Sequence, residues 1–530
     1  MPTTFARAER SAGGDAVRRQ PAALTVLMVV LFLTFLDNTV VSVALGSVQG
    51  DLHAGVTSLQ WVVSAYALAF AAAMLACGMV GDEFGRKRVM LSGVAVFCAG
   101  SVLSALAPNA SVLIAGRAVM GIGAAASEPG TLSMLRHLYP DERIRDRAIG
   151  VWTAVCGLAL ALGPVIGGAL VGVWNWRAIF WFNLAFGAGA LLAGAVLLPE
   201  NSDPDAHRVD IRGFVFGAVA LSALIFGVIN AETEGFAAPD VVALLCISVV
   251  SGVAFLWWEH RAAHPLLDLH YLRVPRFLTA NVVAFCAYFA TFAVFFFTAL
   301  FLDEVAGNSG YKIALTFLPM TVLMVLASVL ASRWIDAVGL GWSILVGSVL
   351  FAAGLVLTAL TISPNPSYIP LAAALGLSGI GVGSTVVPAT SSALSAVPPE
   401  RSGMAASATN TSREIGAVTG VAVLGALVAA RLSSDITARM QALGISKGLQ
   451  QFVIKAVESG STPPTGSKAY VAYGKTGQEV INAAYSAFQS GLHASLYLGA
   501  ALVLAAGIFS FALFVRRSPA EPTASAAPPA

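Results

Sequence analysis

Fourteen apolar segments, each near the roughly 20 residues that a helix needs to cross a bilayer, recur along the chain. They lie at 22–46, 58–80, 88–108, 110–135, 147–172, 177–198, 213–230, 241–258, 277–302, 313–335, 341–361, 367–396, 403–430 and 492–515. Within hydrocarbon, each such segment must satisfy its own backbone hydrogen bonds, so the expected fold is all-α. Composition agrees: 57% of the 530 residues are hydrophobic and 11% charged, against about 25% charged in a soluble domain. The chain reads as an integral membrane protein. Its first apolar segment has no small-residue cleavage site and runs well beyond the roughly 7–15 apolar residues of a signal peptide, so it is expected to stay as a span. The net charge of +2 and the lack of like-charge blocks give no reason to expect a nucleic-acid partner. The five cysteines fall singly in apolar segments, without disulfide or zinc spacing.

Lysine and arginine set the direction of the spans, because cytoplasmic loops retain positive charge. With both termini inside, the cytoplasmic segments hold 20 of the 30 basic residues. The short outer loops hold only Arg177 and Lys312. A thirteen-span arrangement would flip half the loops and lose this bias. Two large polar regions remain: an outer loop, 431–491, whose first part reads as a surface helix, and a Pro/Ala-rich tail, 517–530, expected to be disordered. The domain reading is a cytoplasmic segment 1–20, a six-helix bundle 21–198, two additional spans in 199–260, and a second six-helix bundle 261–516 that includes the outer loop. A partial repeat supports the division. Asp82 and Gly85 stand three apart between spans two and three, and Asp336 and Gly339 three apart between spans ten and eleven. Repeated halves are a common architecture of alternating-access transporters.

Several stretches resemble the fourteen-span drug:proton antiporters of the major facilitator superfamily. GMVGDEFGRKRVML resembles the cytoplasmic loop signature, with Gly78, Asp82, Gly85, Arg86, Lys87 and Arg88 in place and Glu83 where a basic residue is usual. RAVMGIGAAA resembles the fourth-span motif through Arg117, Gly121 and Gly123, with Met120 for a common Gln. GLALALGPVIGG resembles the fifth-span antiporter signature through Gly163, Pro164, Gly167 and Gly168, with Ala159 for a Gly. LDNTVVSVAL resembles the first-span motif through Asp37, Thr39 and Ala44, with Ser42 and Gly46 replacing the usual Asn and Pro. NTSREIGAVTGVAVLGA resembles the thirteenth span of that branch. The resemblance implies a monomeric plasma-membrane exporter that exchanges hydrophobic, cationic or amphipathic compounds for protons, and the Ala/Gly/Val-rich spans point to a bacterial source. No G-x-x-x-x-G-K-[ST] loop is present, so an ion gradient rather than ATP is the expected energy source, with no cofactor.

The charged residues within spans are the candidate site. Asp37 lies roughly 24 Å from Pro21 along a helix, and Arg117 roughly 10 Å below Ala110, which places both in one layer. A buried carboxylate is costly and by default functional; a structural pair with Arg117 is the competing reading. Glu128 follows Arg117 by eleven residues, about three turns, on nearly the same face of span four. A carboxylate there suits exchange, because burial favours the protonated form and a bound cation the ionised form. Arg413 and Glu414, about 100° apart around span thirteen, need different partners. The loop residues 78–88 are read as a cytoplasmic gate, and Gly163 to Gly168 either as a hinge or as tight packing. Gly379 and Gly383 are read as packing. Phe285, Phe289, Phe292 and Phe296 share one face of span nine and line either a substrate path or lipid. His260, His264, Asp268 and His270 have a spacing that a metal would accept, but Pro265 interrupts it and no metal site is assigned. Export of a single metabolite is the alternative to multidrug export. A sensor would need a signalling domain, and an enzyme a clustered catalytic set at one membrane face; neither is visible.

Overall fold

The computed structural model describes residues 3–54, 56–200, 210–263, 265–308, 310–364, 366–442 and 474–516. Among the described residues fourteen α-helices follow in order: α1 Thr3–Val40, α2 Leu45–Leu52, α3 Val56–Phe84, α4 Arg86–Ala105, α5 Ala110–Leu138, α6 Glu142–Val173 and α7 Arg177–Leu197. Then come α8 Ile211–Glu234, α9 Pro239–Glu259, α10 Pro275–Glu304, α11 Gly310–Thr361, α12 Tyr368–Ser395, α13 Ser402–Ala442 and α14 Gly474–Arg516. Among the described residues, ten helices are long and apolar enough to cross a membrane, and the bent α6 makes an eleventh. The fourteen expected spans are consistent with this count: α11 contains two of them, and α3 and α13 carry two more.

Local chemistry sets the boundaries. Asn109 and Asp141 cap α5 and α6 by accepting the N–H groups of Val112 and Ile144, and Asp210 caps α8 through the N–H groups of Arg212 and Gly213. Gly85, at φ 102°, turns the chain between α3 and α4, and Gly339, at φ 80°, makes the same turn inside α11. The partial repeat is therefore a repeated backbone turn. Prolines inside the spans free a carbonyl four residues earlier, and neighbouring helices take it up. Pro164 leaves the carbonyl of Leu160 open, and the Thr39 hydroxyl donates to it at 3.1 Å. Pro319 leaves that of Leu315, which accepts from Tyr368 Oη at 3.3 Å.

Three boundaries differ from the sequence expectation. Helix α1 stops at Val40, with a 3-10 turn over Ser42–Ala44 in place of the helical stretch expected to 46. The outer bend therefore forms without the family's usual proline. Helix α13 continues to Ala442 and α14 begins at Gly474, so much of the expected outer loop is helix growing out of the spans. No glycine or proline lies between Leu427 and Ala442 to end α13 at the membrane. The remainder of that loop, 443–473, lies outside the described residues, as does the tail 517–530.

The helices α1 and α3–α7 form one bundle around Leu27, Leu31, Trp152 and Phe180. A second, α10–α14, surrounds Phe301, Phe351, Leu375 and Leu496. Gly379 and Gly383 of α12 lie against the backbone of α11 at Met320 and Met324, as the packing reading requires. The two bundles meet along α6 with α11 and along α3 with α13. The additional helix α8 rests on the second seam, against both α3 and α13, with the Trp61 and Phe226 rings 5.0 Å apart.

Candidate functional site at the seam between the two bundles

Asp37 and Arg117 form an ion pair with both side chains buried, 0% and 1% exposed. Every further partner comes from the same bundle. Asn183 Nδ2 donates to Asp37 Oδ1 at 2.8 Å, and Arg117 Nε donates to the Val62 carbonyl at 3.0 Å. The guanidinium carbon lies 4.5 Å from the Tyr66 ring centroid, and Tyr66 Oη donates to the Thr34 carbonyl. Helices α1, α3, α5 and α7 are thereby joined around one charge pair in which both Asp37 oxygens accept hydrogen bonds, with Asn183 Oδ1 left without a partner among the described residues. Spans one and four face each other, so the two residues that helix arithmetic puts in one layer do pair.

Glu128, three turns further along α5, is in a different situation. It is 2% exposed, and its Oε2 has no hydrogen-bond partner among the described residues. It lies within electrostatic reach of Arg413 and Glu414 on α13, across the seam. Arg413 is equally buried, at 2%. Its guanidinium donates to neutral acceptors, Asn410 Oδ1 at 3.0 Å and Thr390 Oγ1, while Nε has no partner. It sits between two rings from opposite bundles, 5.0 Å from Trp152 of α6 and 5.4 Å from Tyr288 of α10. Trp152 is fixed by donating Nε1–H to Thr131 Oγ1 at 2.9 Å, and Thr131 in turn donates to the Glu128 carbonyl at 2.7 Å.

The end of the molecule that carries the 78–88 loop is closed by bonds between the bundles. Asp82 accepts the N–H groups of Gly403 and Met404, the first turn of α13, at 3.2 and 3.1 Å. A carboxylate at a helix N-terminus is favoured by both the free N–H groups and the helix dipole. Arg86 pairs with Asp82 at 2.8 Å and donates to the carbonyls of Pro399 and Glu400 at 3.0 and 2.9 Å. Burial pushes the Asp82 carboxyl up to about 6, with the Arg86 charge and the N–H donors pulling against it. Gly78 permits this contact, since a Cβ there would meet the Gly403 carbonyl oxygen at 2.5 Å. Lys87 and Arg88 do not cross: they bind the Ala195 carbonyl at 2.7 Å and Glu200 at 3.4 Å in their own bundle.

The other sequence candidates divide. Helix α6 bends by 43° between Leu160 and Val165. Gly163 and Gly167 also pack directly on Thr39 and Val40 of α1, so the hinge and packing readings both have a structural basis. A Cβ at Gly168 would meet only Val43 at 4.0 Å among the described residues, so this glycine brings no helix close. The phenylalanine stripe is not one environment. Phe289 is buried against α13, where Gly416 and Gly420 receive the backbone of Phe285 and Phe289, Phe292 is half-buried, and Phe296 is 49% exposed. Asp268 of the cytoplasmic linker pairs with Arg401 at 2.5 Å, and His264 lies outside the described residues.

Comparison with known proteins gives a match to the Major Facilitator Superfamily model over residues 27–444. The chain belongs to the major facilitator superfamily. It is 34% identical over 411 residues to the multidrug resistance protein Stp of Mycobacterium tuberculosis, covering 78% of this chain and 76% of that one. It is 30% identical over 519 residues to the tetracenomycin C resistance and export protein of Streptomyces glaucescens, covering 97% and 94%. The solved structure of the human organic anion transporter MFSD10 superimposes with a TM-score of 0.61 at 16% identity, covering 93% of this chain and 99% of that chain. This last likeness concerns the fold.

As a superfamily member the protein is a multi-pass membrane transporter, and the contacts that close the end carrying the 78–88 loop follow the repeat of its halves. Asp82 of one bundle reaches α13 of the other, and Asp336, its counterpart, pairs with Arg143 at the start of α6 at 3.5 Å. Arg145 and Asp146, one turn along, reach Ser395 and Ser391 of α12. Sequence reading did not single out Asn183, Trp152, Tyr288, Thr390 or Asn410. A lone Asn in WFNLAF carried a usable signal, since a buried amide in a span needs a partner. Trp152 and Tyr288 sit in apolar runs and carried none.

Proposed function

We propose that this transporter is a proton-coupled exporter of hydrophobic cationic or amphipathic compounds, with Glu128 as the group that exchanges proton for substrate. The observation that carries this reading is the unpartnered Glu128 Oε2, buried at the seam beside Arg413 and Glu414 in a protein held closed on its cytoplasmic side. A carboxylate so placed holds a proton until a cation arrives, and gives it up when the cation binds. Asp37 and Arg117, saturated by their own bundle, position α5 and with it Glu128. The names of relatives supply the class of cargo, since multidrug resistance and antibiotic export recur among them. The reading places both termini on the cytoplasmic side of the plasma membrane, with a monomer driven by the proton gradient.

Acridine-dye recovery in energised everted vesicles tests it. Substrate-induced proton release in the wild type, lost in Glu128→Gln and retained at reduced protein level in Asp37→Asn, is the expected result. Release that persists in Glu128→Gln overturns the assignment. A second reading, export of one antibiotic, is favoured by the relative that covers most of the chain, the tetracenomycin C resistance and export protein. A panel in which a single compound moves protons selects it.

A further inference from the structure

We propose that Arg413 is a tethered stand-in for the exported cation, filling a slot between Trp152 and Tyr288 from which a lipophilic monocation displaces it. The inference rests on the cationic substrate class proposed above. Two aromatic faces at 5.0 and 5.4 Å from one guanidinium carbon form a cation site, and the rings belong to opposite bundles. The slot therefore exists only while the halves are together and comes apart when they separate. Its present occupant is weakly held by comparison with Arg117, whose guanidinium also covers an aromatic ring. Arg117 has a carboxylate and a carbonyl as acceptors; Arg413 has a side-chain amide oxygen and a hydroxyl, and an open Nε. Among the described residues Arg413 forms no ion pair within 4.0 Å, although Glu128 and Glu414 are both in electrostatic reach.

Displacement costs little for that reason. An incoming cation takes the face-on contacts with Trp152 and Tyr288, and Arg413 swings toward the carboxylates it now only approaches. The exchange replaces one positive charge with another between the rings, so it suits a single charge spread over a lipophilic body. A quaternary phosphonium, ammonium or alkylguanidinium has this character.

Equilibrium binding of tetraphenylphosphonium to the full chain in detergent, without a gradient, tests the slot. Arg413→Gln removes the occupant and is expected to bind roughly three- to thirtyfold more tightly than wild type, the range of one desolvated cation–π contact. Arg413→Lys keeps a cation and should stay within about threefold of wild type on the same scale. Trp152→Leu should weaken binding and cancel most of the gain when combined with Arg413→Gln. An Arg413→Gln protein that binds no tighter, or a gain that survives Trp152→Leu, overturns the proposal, as does a lack of binding to both wild type and variant. If Arg413→Gln does not yield folded protein, Trp152→Phe carries the test: a ring remains, so binding should persist while the binding-induced tryptophan fluorescence change disappears. Fluorescence change retained in that variant counts against the slot. Intact binding with no proton release in vesicles would instead remove the coupling mechanism and leave the slot standing.

Discussion

Arg117 and Glu128 stand on one helix, α5, three turns apart, and their surroundings are opposites. At Arg117 each charge has an opposite charge or hydrogen-bond partner within one bundle, from Asp37, Asn183, the Val62 carbonyl and the Tyr66 ring; the one atom of these side chains left open among the described residues is the uncharged Asn183 Oδ1. At Glu128 the nearest charges belong to the other bundle, and a carboxylate oxygen and a guanidinium nitrogen are both left open. Burial is the same at both places, so burial alone does not distinguish a structural charge from a working one. The distinction is whether the partners move with the charge when the halves rock apart. Partners within a bundle do; partners across the seam do not.

Exchanging roles would break this comparison, and Glu128→Gln is where the largest effect is expected. Substrate-driven proton movement should fall to background, while the melting temperature of the purified protein falls by less than in Arg117→Ala, because no hydrogen bond to Oε2 is lost. Arg117→Ala should do the reverse in kind. Removing one partner of a buried pair leaves Asp37 uncompensated and costs about 3–5 kcal/mol, visible as a lowered melting temperature and poor yield. Stability losses of similar size at both positions would refute the division.

The latch formed by Asp82 and Arg86 ranks next. Asp82→Ala removes the acceptor of two N–H groups and of Arg86, and charge-assisted bonds of this kind are each worth about 1.5–3 kcal/mol. A shift of the inward-open population by at least about tenfold is expected, read as distance between spin labels at the cytoplasmic ends of α4 and α12. Thr39→Val is smaller. It keeps the shape of the side chain but leaves the Leu160 carbonyl open opposite Pro164, at about 1–3 kcal/mol of stability, measured by denaturation of the detergent-solubilised protein.

Apolar length made the spans legible, because a hydrocarbon layer admits few alternatives. Helix spacing was enough to put Asp37 and Arg117 in one layer, and Asp82 with Gly85 against Asp336 with Gly339 was enough to suggest two halves. What stayed hidden depends on contacts between segments far apart in sequence. That Asp37 is saturated follows from Asn183, 146 residues away, and from the Val62 carbonyl, which has no sequence signature. Trp152 and Tyr288 look like ordinary members of apolar helices until the seam brings them to one guanidinium. Thr39 was visible as a motif residue, but its partner was visible only once α1 was seen against the carbonyl that Pro164 frees. The helices α13 and α14 extend beyond the expected spans because hydropathy marks only the membrane, and in α13 no glycine or proline between Leu427 and Ala442 stops the helix at its surface.

The smallest predicted effect sharpens the comparison from outside the spans. Asp82 belongs to the latch, whose partners lie across the seam as those of Glu128 do, and it too should respond to protons. Its carboxyl is held at about 6 in the closed latch against an ordinary 3.8, with burial as the main cause. The closed form therefore takes up a proton more readily than an open form in which Asp82 is solvated. Closure gained this way is fully present below the solvated value and is lost as pH rises through about 6. Relative to neutral pH, the closed state should be favoured roughly twofold at pH 6 and roughly tenfold at pH 5. The same spin-label distance, followed against pH, reads the shift, and Asp82→Asn should flatten it. A population that does not move between pH 7 and 5, in a protein whose latch still opens, would mean that the closed latch holds the Asp82 proton no better than the open one. The division between charges held within a bundle and charges held across the seam would then not extend to the cytoplasmic surface.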